Sequence, residues 1–545
     1  MHPFLKIASV LSSPVILIAA VWCAGLIVVA IGPIEYPLQP SLAVLVVVAA
    51  GVSLFALAQP AGAWCFNVWS RQRPDLPAPS ARTLNRVVAA TSFLGIAGIA
   101  LIAVDRTILS GVGLGGYAEL LRCAPDVVNF IEIQRTPLLY LGYLTFSFGF
   151  ASLLLFLLKG EEINGGAAIA AQLSILSPVG YALLYSGRMP ILFVATLILA
   201  VMLVRIRQGR RIVPQGRHLL IKMVVAFILF AVYSSAVWSS RQAFCARVGG
   251  LVLELQERMK ERDLAQAGPA STPSVPRKTE PRQNLRPGFD RPQAAQTGQR
   301  RSADSISAAD LTRMVDGTKP SPVASQLSSA ATQAVHSAEI EALVAKMKES
   351  WNVTPREYVL SAIESGRFSP RILTNALSTY FYLTHGISML DLTWHAREQF
   401  TPNWGIYEIG VLSPILRVFF PQNRLLASMG EQLKSANIYG FFPTVWAAAY
   451  IDFGAVGAGI YILIWGFVAG WSAFGTRHSE LVLPPLLLTF ILASILLSPI
   501  QGPLGIANSA MVLVSLAIVG IAADFSSLST GSGRRRRELR PAMLA

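Results

Sequence analysis

The sequence predicts an all-α polytopic integral membrane protein of about ten transmembrane helices with one large external loop, and three observations carry that class. Of its 545 residues, 53% are hydrophobic and only 14% charged, and mean hydropathy is +0.52; soluble domains carry about 25% charged residues. Several apolar runs approach the roughly 20 residues that one membrane crossing needs. These runs are continuous, and the strands of a porin-type barrel alternate instead.

The first run, "SSPVILIAAVWCAGLIVVAIG", is too long for the apolar core of a signal peptide and is followed by no small-residue cleavage site, so it is expected to remain as a helix. Trp22 before Cys23 argues against lipidation. Further crossings are expected near Ala50, Ile96, Phe148, Leu173, Leu197 and Phe227. Residues 1–239 thus form an N-terminal membrane domain of about seven spans. About three more, near Trp465, Phe490 and Val512, form a C-terminal membrane domain over 453–523, with a basic tail over 524–545.

The net charge of +15 raises nucleic acid as a partner, but the cations cluster in short loops beside apolar runs, which is what membrane insertion selects. Lys6, then Arg71, Arg73, Arg82 and Arg86, then Lys159, then Arg205 through Arg217, then Arg477, then Arg534 to Arg537 fall in alternate connections. The positive-inside rule therefore places both termini in the cytoplasm. The bilayer is a partner, and nucleic acid is not expected. By the same parity Cys123 and Cys245 face outward, Cys65 faces the cytoplasm and Cys23 lies in lipid. Cys123 and Cys245 are then the plausible disulfide pair.

The external loop starts at 240–263 and changes character twice. Residues 264–335 are rich in Pro, Ser, Gln and Arg, too poor in apolar side chains to offset the entropy of ordering, and are expected to be a disordered linker. Residues 338–452 read as a helical cap ending in a re-entrant segment near Tyr450, with a true span starting at Asp452. A carboxylate at the outer end of that span could cap its free N–H groups, or carry a functional charge. Both roles stay open.

The chemistry-bearing candidates are cations and proton acceptors in outer segments. Arginine's planar fork suits phosphate, and Arg188, Arg241, Arg397, Arg417 and Arg424 are the outer-face candidates. A hydroxyl nucleophile needs a base, for which His385, His395, Glu398, Glu408 and Asp452 are in outer positions. His385 lies in an apolar helix and reads more readily as a core residue, whereas His395 stands in "WHARE" beside Trp394 and Arg397. No metal-ligand spacing is present, and "GVGLGGYAE" lacks the preceding strand of a nucleotide loop.

The stretch "NIYGFFPTVWAAAYIDFGAVGAG" resembles the signature of the oligosaccharide repeat unit polymerases, the Wzy-type O-antigen or polysaccharide polymerases. Asn437, Tyr439, Phe442, Pro443, Tyr450, Asp452, Phe453, Gly454 and Gly457 carry the match. "YSGRMPILF", with Ser186, Gly187 and Arg188 in a tight outer turn, is similar to a second family element, and "TYFYLTHGISMLDL" to its Tyr-rich loop segment. The likeness covers the membrane body and the loop from about 370 to 475, not the linker; the Arg-x-Gly-rich repeats of some members are missing.

The resemblance implies a membrane glycosyltransferase at the periplasmic face of the bacterial inner membrane. It would move a growing glycan from undecaprenyl diphosphate to the next undecaprenyl-diphosphate-linked oligosaccharide, with no cofactor and no metal. A flippase and a chain-length regulator would be pathway partners. It also implies a diphosphate site drawn from the five arginines and catalytic roles among Asp452, His395 and Glu408. The rival expectations are an O-antigen ligase, which shares the chemistry, and a lipid-linked oligosaccharide transporter, for which broken spans and charges within them would speak.

Overall fold

A computed structural model describes residues 8–37, 40–72, 78–109, 136–185, 189–214, 353–364, 370–410, 425–436, 443–505 and 509–542, with isolated positions between them. The chain divides into two units, Met1–Val104 with Thr136–Ser235 and Val323–Ala545, and Asp105–Arg135 with Ala236–Pro322. The second is described only at Asp105–Leu109, one π-helical turn. The expected linker at 264–335, the loop start at 240–263, and Cys123 and Cys245 lie outside the described residues.

The first unit is helical. In chain order α1 is Pro14–Ile31, α2 Leu42–Arg71, α3 Ala81–Val104, α4 Pro137–Lys159, α5 Gly165–Leu173, α6 Leu176–Leu184, α7 Met189–Arg207, α8 Glu357–Glu364, α9 Pro370–His395, α10 Leu425–Ser435, α11 Val445–His478, α12 Leu483–Leu497 and α13 Ser509–Ala542. Among the described residues, 8 helices are long and apolar enough to cross a membrane, α5 and α6 counting as one broken crossing. The α12 helix is apolar but has 15 residues, about 22 Å of rise, short of the hydrocarbon core. The expected crossing near Phe227 falls almost wholly outside the described residues.

Large apolar side chains point outward from these helices: Leu42, Leu57, Phe93 and Val456 are each more than two-thirds exposed. In water that surface would drive aggregation; in lipid it is the solvated face. Since lipid tails are as apolar as the helices, association rests on close backbone packing through small residues. Gly466 and Gly470 of α11 form such a seam with α2, where an added Cβ would collide with the carbonyl oxygens of Phe55 and Gln59. Gly62 of α2 meets Phe467 O in the same way. A second seam joins α3 to α4 through Gly95 and Gly149.

A two-residue antiparallel ladder, β1 (Ile34–Glu35) with β2 (Thr354–Pro355), fastens the segment before α8 to the end of α1. The α9 helix then lies along the α1–α2 connection: Tyr380 Oη donates to Val28 O (2.8 Å), Tyr36 and Thr384 share a hydroxyl contact (2.6 Å), and Ser41 Oγ donates to Asp391 (2.6 Å).

Near the other ends of the same helices, charge is neutralised locally. Arg205, fully buried, donates to Leu157 O, Leu158 O and Arg211 O and pairs with Glu161. Lys159 meets Glu480 at 3.4 Å. Asp524 of α13 accepts from Val482 N (2.8 Å) and Leu483 N (3.1 Å), capping α12 from outside.

The structure breaks α11 two residues later than the sequence reading. The helix runs unbroken through Tyr450, Asp452 and Phe453, and the break falls at Gly454 (φ 64°, ψ −174°). Only glycine adopts that backbone at low cost. The short first half starts on Ser498, whose carbonyl accepts from Val445 N (3.0 Å), with Trp446 packed on Trp22.

If the glycine seam holds α2 to α11, Gly470→Val should destabilise the fold by about 3 kcal/mol or more. Gly166→Ala, at a position with open space around it, should be neutral or better. Detergent thermal melts of the two variants distinguish them; equal melting would remove the seam from the packing.

Candidate functional site: a buried carboxyl pair at the helix break

Asp452 does not cap its own helix. The N-cap of α11 is Thr444, whose Oγ1 accepts from Ala447 N (3.3 Å). Asp452 instead lies two residues before the break, fully buried, and turns its carboxylate to another segment. Oδ1 accepts from Tyr407 N at 3.0 Å and Oδ2 from Glu408 N. Its main-chain oxygen accepts from Trp404 N at 2.9 Å, and Ile451 O from Asn403 Nδ2 at 3.3 Å. The correction has a physical cause: the Asn403–Gly410 turn begins with unpaired N–H groups, and a buried N–H must find an acceptor.

That turn carries its own strain. Trp404 has φ 54° and Gly405 φ 89°; Trp404 is the sole non-glycine with positive φ among the described residues. For a bulky side chain this costs about 1–3 kcal/mol. The indole is nonetheless 76% exposed, so its own packing does not offset the cost.

The turn delivers Glu408 to the break. Glu408 is fully buried; its Oε1 accepts from Tyr461 Oη (2.7 Å) and Leu504 N (3.2 Å), while Oε2 has no partner and lies against Gly502. Burial pushes its carboxyl up to about 8, with the nearby Asp452 charge adding to the rise and the Tyr461 and Leu504 hydrogen bonds opposing it. Near neutral pH, Glu408 is therefore mostly a neutral acid beside an acceptor of two amide protons. Burial likewise raises Tyr407 well above the ordinary phenol value. Tyr461, which reaches Glu408 from nine residues beyond Asp452, stacks on Phe453 (5.5 Å) and so ties the two halves of α11 together.

A cavity of about 40 Å³ lies against Tyr461, lined also by Trp446, Trp465, Ser494, Ser498 and Pro503 among others, with neither carboxyl in its lining. It has room for water and not for a sugar. Glu408 itself is closed in by Tyr461, Leu504 and Gly502.

Of the residues singled out from the sequence, Asp452 and Glu408 are brought together and His395 is not. His395 is exposed at the end of α9, with Nδ1 2.8 Å from Asp391 O and 3.7 Å from its carboxylate. Arg397 is half exposed, set over the Trp394 ring (5.6 Å) and 3.7 Å from Glu398. Both lie beside the first half of α11, where Trp394 meets Tyr450 at 5.8 Å. His385 is a core residue, stacked on Phe381 and held neutral by burial. Arg188, Arg241, Arg417 and Arg424 lie outside the described residues, as do Asn437, Tyr439 and Phe442. Among the described residues, no cluster of three His, Cys, Asp or Glu could hold a metal ion. Tyr461, Trp404 and Gly502 had no distinctive signal in the sequence.

Fold and site together define a multi-pass helical membrane protein with a buried carboxyl pair at a broken helix. Comparisons with protein-family models, curated proteins and solved structures return no match.

The geometry sets a pH expectation. With its folded value near 8 above an ordinary 4.5, Glu408 contributes most below the lower value, and its contribution is lost as pH rises through the upper one. Melting temperature should therefore fall from about pH 4.5 to about pH 8 and level off above. Glu408→Gln keeps the Tyr461 and Leu504 contacts, so it should fold and flatten that slope; an unchanged slope would place the titration elsewhere.

Proposed function

We propose that the chain polymerises undecaprenyl-diphosphate-linked oligosaccharide repeat units at the periplasmic face of the bacterial inner membrane, with about ten spans and both termini cytoplasmic. The observation that carries this reading is the Glu408–Asp452 pair at the break of the "YIDFGAVGAG" helix. Glycosyl transfer with a diphosphate leaving group asks the protein chiefly to take a proton from the acceptor hydroxyl and to hold the phosphates. A base works best with its value near the operating pH, and Glu408 is placed there. Its Oε1 is fixed by two donors, which leaves Oε2 to take the proton. Asp452 is then a positioning residue, fixing the turn that bears Glu408.

The strained, exposed Trp404 fits the same reading. An indole face held outward at such cost offers a platform for a sugar ring, and strain kept at one exposed residue points to use. Arginines of the outer face, with Arg188 foremost, would hold the diphosphate by paired hydrogen bonds.

A second reading has its own support. A span broken next to a buried carboxylate is also what a transporter of the lipid-linked substrate would contain, and α11 has both features. The lipid-linked glycans that build up when the protein is absent separate the readings. A single repeat unit is expected here; intact polymer would mean ligase, and unflipped precursor would mean transporter.

Glu408→Gln should abolish polymer beyond one repeat while the protein inserts at normal level; full-length polymer from that variant would exclude Glu408 as the base. Trp404→Gly should gain about 1 kcal/mol of stability by relieving φ and shorten the polymer. A variant that gains stability with no change in polymer would make Trp404 incidental. Asp452→Asn is uninformative about charge, since its amide would face an N–H of Tyr407 or Glu408 and cost about 1–3 kcal/mol.

A further inference from the structure

At the far end of α2, α7 and α11 from the helix break, a recess of about 830 Å³ opens between the helix termini, lined by Arg71, Arg207, Arg210, Arg477, His478 and Glu480 among others. Its charges divide into two groups. Arg210 is 3.3 Å from Glu162 and 3.6 Å from Glu480, and Lys159 shares Glu480, so one wall is neutralised. Arg71, Arg207 and Arg477 have no carboxylate partner among the described residues.

Arg207 is half-buried and tethered by Ala473 O and Ser12 O, both at 3.3 Å, in a position where the Arg477 charge repels it. Two guanidinium groups held toward one recess, with a third on its rim, are unfavourable unless an anion lies between them. A positive-inside bias alone would place arginines on exposed loops; it does not require one to be half-buried against another.

We propose that this recess binds a phosphate group, with Arg71, Arg207 and Arg477 as its cationic ligands. Arginine pairs with phosphate through two parallel hydrogen bonds. The recess lies where three membrane-crossing helices end, which is headgroup level, and Trp69 in its lining is an interfacial residue type. A phospholipid headgroup and free inorganic phosphate share this chemistry. The site is independent of the carboxyl pair, so its failure leaves the reading of Glu408 untouched.

The test uses full-length protein in detergent, titrated in separate arms with phosphatidylglycerol, with phosphatidylcholine as control, and with inorganic phosphate, with melting temperature as readout. Arg71→Gln/Arg477→Gln changes two exposed residues and spares Arg207, which ties Ser12 and Ala473. Phosphatidylglycerol should raise the melting temperature of the wild type, with apparent affinity roughly tenfold weaker in the double variant. A rise with inorganic phosphate, weakened likewise, would support the site with soluble phosphate as its ligand. Equal responses of wild type and double variant in every arm would overturn the proposal. So would a response lost only when Arg534, Arg535, Arg536 and Arg537 are replaced by Gln.

Discussion

Two amide protons held by one carboxylate organise the end of the helix bundle at which α11 breaks. Where α11 breaks at Gly454, Asp452 accepts from the consecutive N–H groups of Tyr407 and Glu408. A buried N–H without an acceptor costs about as much as a lost hydrogen bond, so moving the turn off the break gives up both bonds and leaves the buried Asp452 carboxylate without them. The rest of the site is assembled around that tether. On the turn it holds, Trp404 has positive φ, and Glu408 is fully buried, accepting from Tyr461 and Leu504.

The same device occurs at the other end of the bundle, where Asp524 takes the N–H groups of Val482 and Leu483. The two differ in what they hold: Asp524 holds the first turn of an apolar helix, whereas Asp452 holds a turn that carries a second, buried carboxyl, Glu408. Asp524 caps α12 and also feels the Lys159 charge. Capping explains Asp452 only in part, since capping does not require Glu408 to be buried with one oxygen unpartnered. A fold that needed only to satisfy the turn could have placed an apolar residue there, and the cost of a buried carboxyl is what points to chemistry.

The legible part of the fold was the part that lipid dictates. Composition, apolar runs and the alternation of arginines are set by the bilayer before any packing occurs, so the membrane class and most helices could be read from the chain. An interruption beside Asp452 was legible, yet its form and position were not: a re-entrant segment and a separate span were expected where one helix kinks at Gly454, capping by Asp452 was one of two open roles, and only the three-dimensional turn shows which N–H groups it serves. The pairing with Glu408 rests on a contact across 44 residues, which no local pattern encodes. Tyr461 and Trp404 were invisible for a related reason, since an aromatic in an apolar run carries no sign of the partner or strain it will acquire. The recess at Arg207 and Arg477 was read only as topology, because charge clustering says which side a loop lies on and not whether two cations face each other.

The most direct measurement is the pH dependence of glycan elongation by the purified chain, reconstituted in liposomes with lipid-linked repeat units on the side of the Glu408 turn. If Glu408 takes the acceptor's proton, the rate should climb with pH and level off above about 8, as its carboxyl ionises. Elongation that is flat across that range, or its absence from a protein that moves the lipid-linked unit across the bilayer, would contradict the assignment.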